Sequence, residues 1–272
     1  MTGPVKIGLT LPSFVADPAE VLSVVRAAED AGLDGVFVYD HLFRLASDGR
    51  RRPALESTAL LGAVAAATDR LHVGVLVERA ALRPPAITAL TFATAHRVSG
   101  GRLIGAVGAG DEESARENEE FGVPFGSFAD RIARLRATVR ATRDQGFPVW
   151  VGGLHREVRA LAAAEADGWN RWGGPVERFA LQAAEVAAAA VRSPFTCSWG
   201  GLVVLAPDDA AASEKAAALR APDHAVVGGP ASVAEVFADF AAAGAGWIVA
   251  GPVDARDPAN AAVLGAVRAR LG

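Results

Sequence analysis

The chain has 272 residues, 51% of them hydrophobic and 21% charged, with a formal net charge of −4, which excludes a disordered chain and the basic footprint of a nucleic-acid binder. The single cysteine, Cys197, excludes an internal disulfide framework and a cysteine-built metal site. There is no apolar run of about 18 residues and no secretion-signal pattern at the N-terminus, so a soluble cytoplasmic protein is expected, with no membrane or nucleic-acid partner.

In chain order, short β-like runs alternate with alanine-rich helical stretches. The patterning predicts strands over 5–11, 35–39, 71–77, 103–107, 148–152, 168–172, 198–205 and 246–250. Six are continuous apolar runs, as in strands covered on both faces of a parallel sheet. The runs at 168–172 and 198–205 carry more polar and glycine character. The first helix opens with Asp17 as N-cap and Pro18 at its first position, and closes at Gly32. Others are predicted over 54–69, 84–97, 127–143, 156–166, 175–192, 208–220, 231–244 and 258–272. This alternation, unbroken by any linker, points to an α/β protein with one (β/α)8 TIM barrel over 1–272. A doubly wound open sheet is the alternative.

In such a barrel the chemistry sits on loops at the C-terminal ends of the strands. The second strand runs straight into Asp40-His41, either a site pair or a satisfied acid–base loop contact. Leu76-Val77-Glu78-Arg79 follows the third strand, Gly108-Ala109-Gly110 the fourth, and Gly152-Gly153 the fifth, just ahead of His155 and a helix. These glycines either let backbone approach a ligand or simply make turns. Arg50-Arg51-Arg52 would meet an anion or stand solvated. The remaining histidines show no metal-ligand spacing, and no metal site is expected. Dinucleotide-fingerprint, P-loop and nucleophile-elbow motifs are all missing.

Six segments in order resemble the bacterial luciferase-like monooxygenase family, in its flavin- and coenzyme F420-dependent branch. They are AAEDAGLDGVFVYDHL (27–42), ALESTALLGAVAAATDRLHVGVLV (54–77), RPPAITALTFATAHRVSGGRLIGAVGAG (83–110), FGVPF (121–125), VGGLHREVRALAAAEADGWN (151–170) and VGGPASVAEVFADFAAAGAGWIV (227–249). The resemblance implies a barrel oxidoreductase with a flavin-like ring at its C-terminal mouth. It places Asp40 and His41 beside the ring, His41 as proton donor or acceptor and Asp40 as the group that orients it. It puts a non-proline cis peptide at Leu76-Val77, behind the ring. Gly108, Ala109, Gly110 and Ser114 would line the ring side, and Gly152 and Gly153 the tail and phosphate.

Asp-His rather than Glu-His leans toward coenzyme F420, with FMN as the alternative. Three functions follow from the resemblance: hydride transfer between F420 and a small organic substrate, an FMN-dependent monooxygenase using reduced flavin and O2, or a cofactor-poor binding protein on the same barrel. A homodimer is expected, as is common in the family. Two segments are shorter than usual there, RATRDQGFPVWVGG (140–153) and APDDAAASEKAAALRAPDHAVVGG (206–229), and Asp111 stands where many relatives have an aromatic residue. These departures leave the pocket open, completed by a partner subunit, or without a substrate.

Overall fold

The computed structural model describes residues 4–45 and 49–272; residues 1–3, the start of the segment read above for a secretion signal, lie outside the described residues. Eight parallel strands close into a barrel. In spatial order they are β1 (Lys6–Thr10), β2 (Gly35–Val38), β5 (His72–Arg79), β6 (Leu103–Gly108), β7 (Val149–Gly152), β8 (Gly168–Trp172), β9 (Thr196–Leu205) and β11 (Trp247–Pro252). Pairing of β8 with β9 closes the ring, and β11 returns to β1. The predicted strands all form, including the two with polar character. Asn170 and Ser198 there pair with each other inside the barrel, Asn170 Nδ2 donating to Ser198 Oγ at 2.9 Å, so neither polar group is stranded.

Large rings fill the barrel interior. Phe37, Trp150 and Trp247 pack with centroids about 6 Å apart, together with Leu76, Ile104 and Val249. Glycines on adjacent strands make the space: a Cβ at Gly168 would lie 2.5 Å from Trp150. Burying each such side chain contributes roughly 1.5–3 kcal/mol. The larger core lies between the barrel and the helices.

The helices form where caps and apolar stripes agree. In α1 (Pro18–Asp30), Asp17 accepts from Ala19 N at 2.8 Å. In α2 (Ser57–Ala66) the cap is Glu56, so the helix begins three residues later than the pattern predicts. Ser127 and Asp130 form a reciprocal capping box at the start of α5 (Phe128–Thr142). The remaining long helices are α3 (Pro85–Val98), α6 (Arg156–Glu165), α7 (Val176–Ala188), α8 (Asp209–Leu219), α9 (Pro230–Ala242) and α10 (Ala259–Leu271). Among the described residues no helix is long and apolar enough to cross a membrane.

Three features lie outside the strands and helices listed above, although the sequence after 108–114 reads as a helix N-terminus. A short antiparallel pair, β3 (Phe43–Leu45) and β4 (Arg51–Pro53), stands over the barrel mouth. A single turn, Glu112–Ser114, leads into the six-residue α4 (Ala115–Glu120). A three-residue strand, β10 (Val226–Gly228), pairs with the C-terminal end of β9 at Val203–Leu205. All three are too short or too charged to carry a hydrophobic period.

Candidate active site

A cavity of about 920 Å³ opens at the C-terminal ends of the strands. Asp40, His41, Leu76, Val77, Gly108, Ala109, Gly110, Ser114, Gly152 and Gly153 all line it. Four strand ends thus converge on one space, as the barrel geometry requires.

The floor is made by a bulge in β5. The register against β6 shifts between Val75 and Glu78, and the Leu76–Val77 peptide is cis. The Val77 side chain then stands over the ends of β6 and β7. A Cβ at Gly108 would lie 2.5 Å from Val77 Cγ2, and one at Gly152 would lie 2.6 Å from Val77 Cγ1. These two glycines therefore make room for Val77, a role the sequence reading assigned to a ligand. Gly153 differs. Its φ of +141° is glycine territory, and its N–H is spent on Asn170 O at 3.2 Å, so it offers no donor to a phosphate. Gly110, with φ +75°, has its nearest non-local neighbours at 3.8 Å and keeps its backbone open to the cavity.

Above the floor sits His41. Its Nδ1 lies 2.7 Å from Glu117 Oε1. Glu117 Oε2 accepts from Leu42 N at 2.7 Å and from Arg79 Nη2 at 3.0 Å. Burial raises the Glu117 carboxyl, but contacts with His41, Leu42 N–H and Arg79 outweigh it and hold Glu117 below the usual carboxylate range. An ionised Glu117 accepts from Nδ1–H, which leaves Nε2 as the ring nitrogen without a partner among the described residues.

The sequence reading gave the orienting role to Asp40. The structure gives His41 Nδ1 to Glu117 instead, because the Asp40 side chain turns into the protein behind the site. Asp40, 3% exposed, accepts from Ser57 Oγ at 2.6 Å, Arg79 N at 2.8 Å, and both terminal nitrogens of Arg83 at 2.9 and 3.2 Å. Its backbone oxygen accepts from Arg79 Nε at 2.7 Å. Arg83 also pairs with Glu56. Asp40 thus fixes the backbone that carries His41, while Arg79 links it to Glu117 and, through Nη1, to Asn118 Oδ1 at 3.2 Å.

Behind this network Glu78 is fully buried. Its Oε1 accepts from Thr88 at 2.7 Å and lies 3.7 Å from Arg83; its Oε2 has no partner among the described residues. Burial pushes its carboxyl up to about 7, against the pull of Arg83.

Ser114 hydroxyl donates to Asp111 Oδ1 at 2.7 Å, so it serves the turn before α4. His155 is the N-cap of α6 and packs on Phe128 at 4.4 Å. Arg51 lies over Phe43 and Phe121 and pairs with Glu120, and Arg52 donates to Phe14 O. Both are thereby tied to the wall of the mouth. Sequence reasoning missed Glu117, Arg83, Phe14 and Trp172. Glu117 sits in the run ENEE, which reads as a solvated helix face. Among the described residues no metal-ligand cluster forms.

A family model described as luciferase-like monooxygenase matches residues 4–145 and 136–234. The chain belongs to the luciferase-like monooxygenase family. Members similar in sequence include F420-dependent glucose-6-phosphate dehydrogenases. The protein of that name from Nakamurella multipartita is 33% identical over 55% of this chain and 42% of its own length. The one from Beutenbergia cavernae is 37% identical over 45% and 35%. The matches thus span less than half the length of these relatives. Solved luciferase-like barrels superpose over nearly the whole chain. An F420-dependent secondary alcohol dehydrogenase in complex with an F420-acetone adduct has a TM-score of 0.78 and 19% identity, covering 97% of this chain and 99% of that one. EDTA monooxygenase from Chelativorans sp. BNC1 has a TM-score of 0.80 and 12% identity, covering 99% and 94%. At these identities the likeness shows the fold.

Proposed function

We propose that this chain is an oxidoreductase that transfers a hydride between coenzyme F420 and a small organic substrate, with His41 handling the accompanying proton. One observation carries the reading: the His41 ring lines the cavity with Nδ1 held by Glu117 and Nε2 unpartnered among the described residues. That is the arrangement of a general acid–base group whose tautomer is fixed from behind. The names of the relatives similar in sequence support F420 as the carrier.

The lining fits a flat ring system. The volume is ample for one, the Val77 isopropyl group would support one face, and the backbone of Gly108, Ala109 and Gly110 would run along one side. Gly152 and Gly153 border the same space, where a tail would leave the ring. When bound, F420 supplies a two-electron hydride carrier. The protein's own share is to shape the floor with Val77, to hold His41 through Glu117, and to fix both through Asp40 and Arg79.

Titration of the purified protein with F420 and with FMN tests this. Saturable F420 binding is the expected result. FMN binding without F420 binding would make it a flavin monooxygenase, and binding of neither would make it a non-catalytic member.

We also propose a homodimer through α2 and α3. Ile87, Leu90 and Val98 project from α3 at 49%, 64% and 49% exposure. Beside them Gly62 on α2 opens into space, with nothing within 4 Å of a Cβ built there. A ridge next to a furrow is self-complementary under twofold symmetry. Sedimentation should show a dimer that Leu90→Glu dissociates; a monomeric wild-type protein overturns this.

A further inference from the structure

The end of the cavity nearest β2 has a chemistry of its own. Phe14 and Tyr39 flank His41, with ring centroids at 5.7 and 6.5 Å. Phe14 stacks with Tyr39 at 6.4 Å, and Trp172 meets Tyr39 edge-on at 5.8 Å. Phe14, Tyr39, His41 and Trp172 all line the cavity. The polar atoms here are already engaged. Tyr39 hydroxyl donates to Thr10 Oγ1 at 3.0 Å, Tyr39 N–H donates to Ser13 Oγ at 3.1 Å, and Ser13 Oγ donates to Leu11 O at 3.4 Å. Burial pushes the Tyr39 hydroxyl up to about 12, so it stays neutral. A polyhydroxylated molecule finds few hydrogen-bond partners beside His41, whereas an aromatic or branched apolar body finds three ring faces.

Among the described residues the cations at the lining are also spoken for, with one exception. Arg79 pairs with Glu117, and Arg116 with Glu120. Arg44, on β3, stands with its Cζ 5.7 Å from the Phe14 ring, and among the described residues no carboxylate pairs with it. A guanidinium resting on a ring keeps its donor fork available for a carboxylate. On the side of the cavity formed after β6 the lining carries Asp111 and Glu113, which repel an anion from that end.

We infer that the substrate is an alcohol, or the matching ketone, with an aromatic or branched apolar body and one carboxylate, which lays its reacting oxygen on His41 Nε2 and its carboxylate on Arg44. This rests on the reading of His41 as the group that handles the proton. It extends that reading to the substrate's charge and shape, and it disfavours a sugar phosphate.

The test is calorimetric titration of the protein, alone and with saturating F420, with three probes: 4-(1-hydroxyethyl)benzoate, its neutral carboxamide, and glucose 6-phosphate. The benzoate should bind about tenfold or more tightly than the carboxamide, and glucose 6-phosphate should bind most weakly. Arg44→Gln should abolish the preference for the benzoate, and Arg44→Lys should restore part of it. Equal binding of benzoate and carboxamide, binding of none of the probes, tightest binding of glucose 6-phosphate, or a preference that survives Arg44→Gln would each overturn the inference. Failure of F420 to bind, with the benzoate preference intact in the protein alone, would count against the cofactor and leave the substrate class standing.

Discussion

Glu117 Oε1 lies 2.7 Å from Nδ1 of His41, across 76 positions of sequence. The carboxylate does three things at once: it fixes the ring, caps the Leu42 N–H, and pairs with the buried Arg79. Each contact favours the ionised form, so the acid that orients the imidazole is itself held in one state.

Glu117→Gln should lower turnover by about 100-fold, because the amide can donate to Nδ1 and so favour the wrong tautomer. His41→Ala should lower it at least as far. The double variant should be no worse than His41→Ala, since the two residues act as one unit. Cofactor affinity should change little in all three. Stopped-flow rates alongside cofactor titrations check this.

Asp40→Ala should destabilise the fold by about 1–3 kcal/mol, since it removes the most buried carboxylate partner of Arg83, which keeps Glu56, and leaves the Arg79 N–H without its acceptor. Urea denaturation should show a lowered midpoint. A change under 1 kcal/mol by the same measurement, on the scale of an ordinary surface pair, would show that the cluster does not depend on Asp40.

Gly108→Ala should cost about 1–3 kcal/mol through the clash with Val77. In a Val77→Ala background the cost should largely vanish. A double-mutant cycle by thermal denaturation measures that coupling; additive effects would mean that Val77 does not need the glycine.

Glu78 ties stability to pH. Its folded carboxyl titrates at about 7, above the ordinary 4.5, so the folded state holds the proton more tightly than the unfolded chain. The sign follows: stability falls as pH rises from about 4.5 to about 7 and then levels off. Glu78→Gln keeps an acceptor for Thr88 and removes the titration. It should therefore be more stable than wild type by about 3 kcal/mol at pH 8, with little difference at pH 4.5. Parallel melts at the two pH values check it.

Much of this architecture was legible because a closed parallel sheet leaves a plain trace: most of its buried strands are apolar runs, and caps such as Asp17 mark where helices begin. The candidate residues from 40 to 153 were legible by position, since strand ends share one face. What was hidden is relational. Asp40 and His41 are adjacent, yet their side chains part, one inward to Arg83 and one to Glu117. Gly108 and Gly152 read as space for a ligand because Val77 shows no sign in the sequence that it will fill that space. The β3–β4 pair is half arginine and held by Arg51 on two phenylalanines, a contact that no period reveals.

The groups tied to His41, namely Asp40, Ser57, Arg79, Arg83, Glu117 and Asn118, all come from the first half of the chain. The second half contributes Gly152, Gly153, Asn170, Trp172 and Leu202 to the cavity lining and none of these contacts. Proton handling is therefore confined to one half of the barrel, while both halves shape the opening. Loops after position 140 can thus differ in length and change what enters while these contacts stay intact.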